Sequence, residues 1–342
     1  MANKVVIFGE IMMRLSPKGN ERFVQAKEFE VTYGGAEANV AVSLSSFGVD
    51  ASFVTVLPDN EIGQSALNAV RMHGVDTKFI LRKNGRLGTY YSEKGVSQRP
   101  SKVIYDRANS LISLAKVGDF DWDAVFEGAN WFHFTGITPA LGKNVAELCI
   151  EAAKKAKEKG LCVSCDLNYR SKLWTREEAS KTMSELMKYV DVVIANEEDA
   201  KDVFGIESTS SDINSGKLDK EGYKEVARKL QERFGFKKVA ITLRESLSAS
   251  HNIWSALLYE NGEFFFSKKY DIFPIVDRVG GGDSFGAGLI YSFLNGKDAQ
   301  TSIEFAVAAS CLKHSIPGDF NLVSTKEVET LMKGNGSGRV QR

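Results

Sequence analysis

The sequence predicts an α/β protein: a doubly wound, mainly parallel sheet with helices on both faces, plus a small β-sheet lid. Three observations predict it. Short apolar β-type runs alternate with amphipathic helical stretches along most of the chain, and strands separated by helices require right-handed βαβ crossovers. Two segments, 14–33 and 86–107, carry β-type residues without a crossover helix. The composition, 43% hydrophobic and 26% charged residues, is that of a globular chain.

Taken in order, Val5–Phe8 reads as a strand and Ala36–Phe47 as a helix stopped by Gly48. Phe53–Val56 is a strand, followed by a helix over Glu61–His73 that ends at Gly74. Asn130–Phe134 is a strand, and Lys143–Lys159 is a helix with lysines in its last turns, where the helix dipole favours them. Cys162–Asp166 and Val192–Ala195 are strands, with helical patterns over Arg176–Tyr189, Glu197–Phe204 and Lys220–Phe234. Lys238–Thr242 is a further strand, and Ser255–Tyr259 and Glu263–Ser267 flank Asn261-Gly262, a strong hairpin signal. In the two exceptional segments, Thr89–Ser92 and Val103–Arg107 should pair outside the parallel sheet and project as a lid. Ser208–Lys217 reads as a polar surface insertion. One domain over residues 1–333 and a disordered tail at 334–342 complete the expected organisation.

Lysine plus arginine equals aspartate plus glutamate at 44 each, so nothing draws the chain as a whole toward nucleic acid or an anionic membrane. No apolar run approaches a membrane span of about 20 residues, and the first residues lack a signal-peptide pattern. A cytoplasmic protein is the expectation. Four cysteines in 342 residues exclude a disulfide scaffold. Cys162 and Cys165 sit on a presumed strand, point to opposite faces and have no second pair, so they read as core residues rather than as a metal site.

The sharpest chemical signal is Asp277-Arg278-Val279-Gly280-Gly281-Gly282-Asp283, running into an apolar helical stretch. Consecutive glycines before a helix present backbone N–H groups at its positive end, a ready hole for phosphate. A dinucleotide fingerprint fails here on position and glycine spacing. An aspartate at the mouth of such a hole suits acceptance of a hydroxyl proton beside a transferring phosphoryl group. A second signal is Gly34-Gly35 opening a helix, with Asn39 one turn in. A third is Asp166-Leu167-Asn168-Tyr169-Arg170 at a strand's C-terminal end, where ligands of open α/β sheets collect. The fourth, Asn196-Glu197-Glu198-Asp199, also follows a strand, and its carboxylates can reach magnesium through water.

Together, in this order and over about Val5 to Thr330, these residues resemble the ribokinase-like (pfkB-type) carbohydrate kinases. The resemblance implies ATP-dependent phosphorylation of a sugar hydroxyl, with Mg2+ and a possible monovalent cation. It implies Asp283 as catalytic base and Gly280, Gly281 and Gly282 as the anion hole. On the nucleotide side it implies Asn168, Arg170, Asn196, Thr242 and Arg244, with Asp199, where the family has glutamate, reaching the metal through water. Gly9-Glu10, Tyr90, Tyr105-Asp106-Arg107 and Pro317-Gly318-Asp319 look most like the 2-keto-3-deoxygluconate kinases, which act at O6. That likeness implies sugar contacts from Gly34, Gly35, Asn39, Tyr90, Tyr105, Arg107, Arg170 and Asp319. Tyr105 and Arg107 are two apart on a presumed strand and so face one side. A guanidinium over the sugar selects a carboxylate, which makes a sugar acid the expected partner of ATP. Asp283 is expected to act with an ordinary low pKa.

Where the family carries threonine and alanine, this chain has Arg278 and Gly281, and Thr242 continues into Leu-Arg-Glu rather than a glycine-containing turn. Arg278 is expected to pair with Asp277, and Arg244 with Glu245 or a phosphate. The remaining alternatives are a fructokinase or ribokinase activity, or a silent sugar-sensing homologue. A two-stranded lid leaves Phe23, Val31, Val103 and Ile104 partly exposed, and so predicts a homo-oligomer joined through the lid.

Overall fold

Alternating side chains decide the layering. On the strand Lys4–Phe8, Val6 and Phe8 enter one apolar cluster while Val5 and Ile7 enter another. Strand Asp50–Pro58 divides its residues in the same way, with Val54 and Val56 on one face and Phe53 and Leu57 on the other. A strand apolar on both sides must be covered on both. Helices Lys143–Glu158 and Arg176–Leu186 cover the first face, and helices Ala36–Ser46, Gly281–Leu294 and Ala299–Lys313 cover the second.

The computed structural model describes residues 3–196, 198–208 and 220–334. Among these, a ten-stranded sheet runs in the spatial order Glu263–Phe266, His251–Glu260, Lys238–Ser248, Val192–Ala195, Cys162–Asp166, Trp131–Thr135, Lys4–Phe8, Asp50–Pro58 and Ile80–Lys83, with Tyr270–Ile272 pairing His251–Glu260. All pairings from Lys238–Ser248 to Ile80–Lys83 are parallel, and those beyond Lys238–Ser248 are antiparallel. The expected doubly wound fold is the observed one. The Asn261-Gly262 turn has φ of 52° and 85°, the left-handed pair that a tight hairpin needs. Cys162 and Cys165 are both free and lie on one sheet strand, Cys165 in the core.

Several expectations need correction. The strand expected to end at Thr242 continues to Ser248, because its antiparallel partner His251–Glu260 extends the pairing. Helix Ala299–Lys313, unforeseen in the sequence, is buried on several sides, so no polar stripe marks its period. The lid is four-stranded, not two-stranded, in the order Phe29–Gly34, Met12–Pro17, Gly88–Glu93, Lys102–Asp106. The parallel pairing of Met12–Pro17 with Gly88–Glu93 joins segments far apart in the chain, which local patterns do not reveal. Phe29, Val31 and Ile104 are exposed on this sheet, while Val103 and Phe23 are half-buried. The expected insertion, beyond Ser208, and the expected tail, beyond Gly334, lie outside the described residues, as does the start of the helix expected at Glu197. No described helix is long and apolar enough to cross a membrane.

Candidate active site

The C-terminal ends of the parallel strands, the lid and two helix N-termini enclose a cavity of about 360 Å³. Every sequence-predicted site residue except Gly34 lines it. Gly34 stands behind the wall, where a Cβ would fall 2.1 Å from a carboxylate oxygen of Asp319.

The glycine bend is built by conformation. Gly280 has a φ of 85°, and a Cβ there would meet the Asp319 carbonyl at 2.0 Å; only glycine fits. The Gly280 carbonyl accepts both the N–H and the hydroxyl of Ser284, at 2.9 and 2.8 Å, which starts the helix Gly281–Leu294. The N–H groups of Gly282 and Asp283 have no acceptor inside the helix, and Gly282 is exposed to the cavity. Gly281 departs from expectation. Its N–H donates to the Arg278 carbonyl at 3.3 Å, and a Cβ there would strike the His314 ring. It is a packing position, not a free donor.

Asp283 sits in the first turn of that helix, and its Oδ2 accepts a 2.7 Å bond from the Asn39 amide. Asn39 lies one turn into Ala36–Ser46, the neighbouring helix on the same face of the sheet. Asn39 was expected to meet a sugar hydroxyl; here its amide holds the acid. Burial pushes the Asp283 carboxyl up to about 7, against the Asn39 bond, with Glu37 and Asp319 adding to the rise. The expected ordinary low pKa is therefore corrected: the wall around this acid strips it of water.

At the lid end, Arg107 is buried, stacks 4.4 Å over the Tyr105 ring and donates to Glu10 at 2.8 Å. From the sequence, Arg107 is expected to meet a substrate carboxylate, and it lines the cavity. Its Nε is nonetheless buried without a partner, and the Glu10 carboxylate has only the Ser110 hydroxyl beside its second oxygen, so the arginine keeps one donor unspent. Burial raises the Glu10 carboxyl to about 6, opposed by Arg107. Tyr90 donates to Asp319 at 2.5 Å, and Arg14, unnoticed in the sequence, binds Asp319 and Asp277 at 2.7 Å each. Glu37, also unnoticed, accepts from Thr135 Oγ1 and Thr138 Oγ1 at 2.6 Å each and from the Glu10 N–H at 3.3 Å, tying strand ends together beneath the cavity.

The candidates expected on the nucleotide side also line the cavity. Asn168 has a φ of 40°, and Arg170 bonds the Tyr169 carbonyl at 3.0 Å. The Asn196 side chain accepts the N–H groups of Glu198 and Asp199, and Thr242 bonds the Ala195 carbonyl at 3.4 Å. Asp199, expected near the metal through water, lines the cavity, and its two oxygens accept the N–H groups of Tyr169 and Asn196. Asp166 also lines the cavity, and its carboxyl is raised well above the ordinary range by burial and by Asp199 and Asp283. Arg278 donates to the carbonyls of Ser248 and Ala249, and Glu245 pairs with Lys269. The pairing expected between Arg278 and Asp277 is thus replaced by these carbonyl contacts, and Arg244 lines the cavity.

Residues 2–325 match the family described as pfkB family carbohydrate kinase. Over 338 residues, 99% of each chain, the sequence is 32% identical to a 2-dehydro-3-deoxygalactonokinase of Haloferax volcanii. A crystal structure of a 2-dehydro-3-deoxygluconokinase from Thermotoga maritima is 54% identical, with a TM-score of 0.93 over 98% of this chain and 99% of that one. A fructokinase with bound ATP from Xylella fastidiosa, 20% identical over 98% of this chain and all (100%) of that one, shares the fold at a TM-score of 0.77.

Proposed function

The chain belongs to the pfkB family of carbohydrate kinases, and within it we propose the transfer of the ATP γ-phosphoryl group to O6 of 2-keto-3-deoxygluconate. The observation that carries this reading is one cavity holding an arginine with an unspent buried N–H at the lid end and an aspartate at a helix start beyond it. A sugar carboxylate suits Arg107, because charge-assisted bonds to guanidinium are strong and directional. The second Glu10 oxygen suits a sugar hydroxyl. The 54% identity to a 2-dehydro-3-deoxygluconokinase supports the same substrate.

In this reading Asp283 accepts the proton of the attacking hydroxyl. A carboxyl raised to about 7 is well matched to that task near neutral pH. The Gly282 and Asp283 N–H groups and the positive helix end face the charge on the transferring phosphoryl oxygens. Asn39 keeps the base aimed, and the lid excludes water that would compete as acceptor. Mg2+ takes mainly phosphate oxygens and one or two carboxylates. The residues fit that pattern: among the described ones no cluster of three or more acids, histidines or cysteines is arranged for a metal, and Asp166 borders the cavity under negative charge that a cation would relieve. Asp166 would hold the ion through water, and the ion would neutralise the phosphates.

A substrate panel with ATP and Mg2+ tests the proposal: 2-keto-3-deoxygluconate, its C4 epimer 2-keto-3-deoxygalactonate, fructose and ribose, with ADP release as readout and NMR for the position of the phosphate. The expected result is phosphorylation at O6 and a preference for the acids over both uncharged sugars. Fructose or ribose turned over equally well would overturn the assignment of Arg107. The Haloferax relative supports a second reading, the galactonate epimer, which the same panel separates.

A further inference from the structure

Lys313, at the end of helix Ala299–Lys313, is wholly buried, a rare position for a lysine without a carboxylate partner. Its hydrogen bonds go to backbone carbonyls: Ile316 at 3.1 Å and Asp277 at 3.5 Å. Asp277 opens the glycine bend. The Lys313 Cε is 3.2 Å from the point where a Cβ on Gly280 would stand, so the lysine runs directly behind the bend.

The same two stretches are joined elsewhere. Val276 and Asp277 donate their N–H groups to the His314 carbonyl at 2.8 and 3.3 Å, and the Gly318 N–H reaches the Asp277 carboxylate at 3.2 Å. Arg14 holds that carboxylate from the lid at 2.7 Å. Asp277 is thus gripped by one cation at its side chain and by another at its carbonyl. Desolvation pulls the Lys313 pKa down, while Asp277, Asp319 and Asp283 favour its charged form. Burying an ammonium costs several kcal/mol, and a methionine of similar length would fill the same space without that cost.

We propose that the Lys313 ammonium is a resident cation of the phosphate site. It ties the carbonyl at the start of the bend to the turn after its own helix and so aims the Gly282 and Asp283 N–H groups at the transferring phosphoryl group. It is a positioning residue, and it performs with a tethered ammonium what a bound monovalent cation does with backbone carbonyls. Turnover by this chain is therefore independent of added K+ or Na+. The proposal rests on the kinase reading given above.

The test compares the unmodified protein with Lys313→Met and Lys313→Ala, assayed with ATP, Mg2+ and 2-keto-3-deoxygluconate in tetramethylammonium buffer, with and without K+, Na+ or ethylammonium. The unmodified protein should turn over equally in all of them. Lys313→Met should lose about tenfold or more in kcat, the scale at which a small misplacement is felt, with the sugar KM within about twofold and an unchanged or higher Tm. Lys313→Ala should recover part of its kcat when a small cation is added, and this arm stands even if the methionine variant fails to fold. A methionine variant with normal kcat, stimulation of the unmodified protein by K+, or an alanine variant that no cation restores would each overturn the proposal. An unmodified protein that releases no ADP would instead reject the kinase reading itself.

Discussion

The two ends of the cavity are made of different materials. At the lid end, side chains hold one another across long stretches of sequence: Glu10 with Arg107, Tyr90 with Asp319, and Arg14 with both Asp277 and Asp319. At the other end, where the proposed reaction puts the phosphate, the groups on offer are backbone N–H groups, set by one left-handed glycine and a helix start. A paired side chain chooses among ligands by charge and shape. A bend of amides accepts any phosphate and is specific only to where charge develops. Selection and chemistry are thereby separated, and substitutions should fail in separable ways.

The largest effect is expected at Asp283. Asp283→Asn keeps the shape of the side chain and removes the proton acceptor, so kcat should fall by about 10²–10⁴-fold with little change in sugar binding. Stability should move the other way. The folded carboxyl is raised to about 7 from 3.8, so the native state holds a proton that the unfolded chain has released. Its contribution to stability is therefore present at low pH and lost as pH rises toward 7. The asparagine variant should have a higher Tm than the parent above pH 7. Near-normal turnover would show that the phosphate end contains no base at this position.

Arg107→Gln tests the opposite end. One charge-assisted contact of about 1.5–3 kcal/mol corresponds to a sugar-acid KM raised about 10- to 150-fold, with the ATP KM unchanged. The substitution also strands Glu10 in a buried site, so the double variant Glu10→Gln with Arg107→Gln separates lost recognition from lost folding. If both variants keep the parent's sugar KM in steady-state assays, the lid end does not select by charge.

The same contrast governs what could be read from the sequence. The bend, the strand-end Asp166–Arg170 motif and the Gly34-Gly35 helix start are local: each is a run of a few residues whose backbone needs are printed in their identities. The lid end was legible only by residue type. Tyr90, Arg107 and Asp319 were foreseen, yet Glu10 as the partner of Arg107, 97 residues away, and Arg14 between two aspartates were not. Pairing of charges over such distances leaves no periodic trace. Lys313 was missed for a related reason, since a lysine closing a helix reads as an exposed dipole partner until its burial is seen. The raised Asp283 pKa was equally hidden, because desolvation is a property of the closed cavity and not of the motif.

Asn39, on the helix beside the bend, gives the finest test. Its amide donates to Asp283 at 2.7 Å and favours the ionised form, so it holds down a pKa that burial drives up. Asn39→Ala removes that bond without touching the bend. The acid limb of the kcat/KM profile, expected near pH 7 in the parent, should move upward by about one unit, the equivalent of one hydrogen bond to a charged group. Because the base must be ionised to act, the variant should be weak at pH 6 and should approach the parent as pH rises. A residue that served only to pack the two helices would lower turnover at every pH alike. An unshifted limb would therefore assign Asn39 to the scaffold and leave Asp283 governed by burial alone.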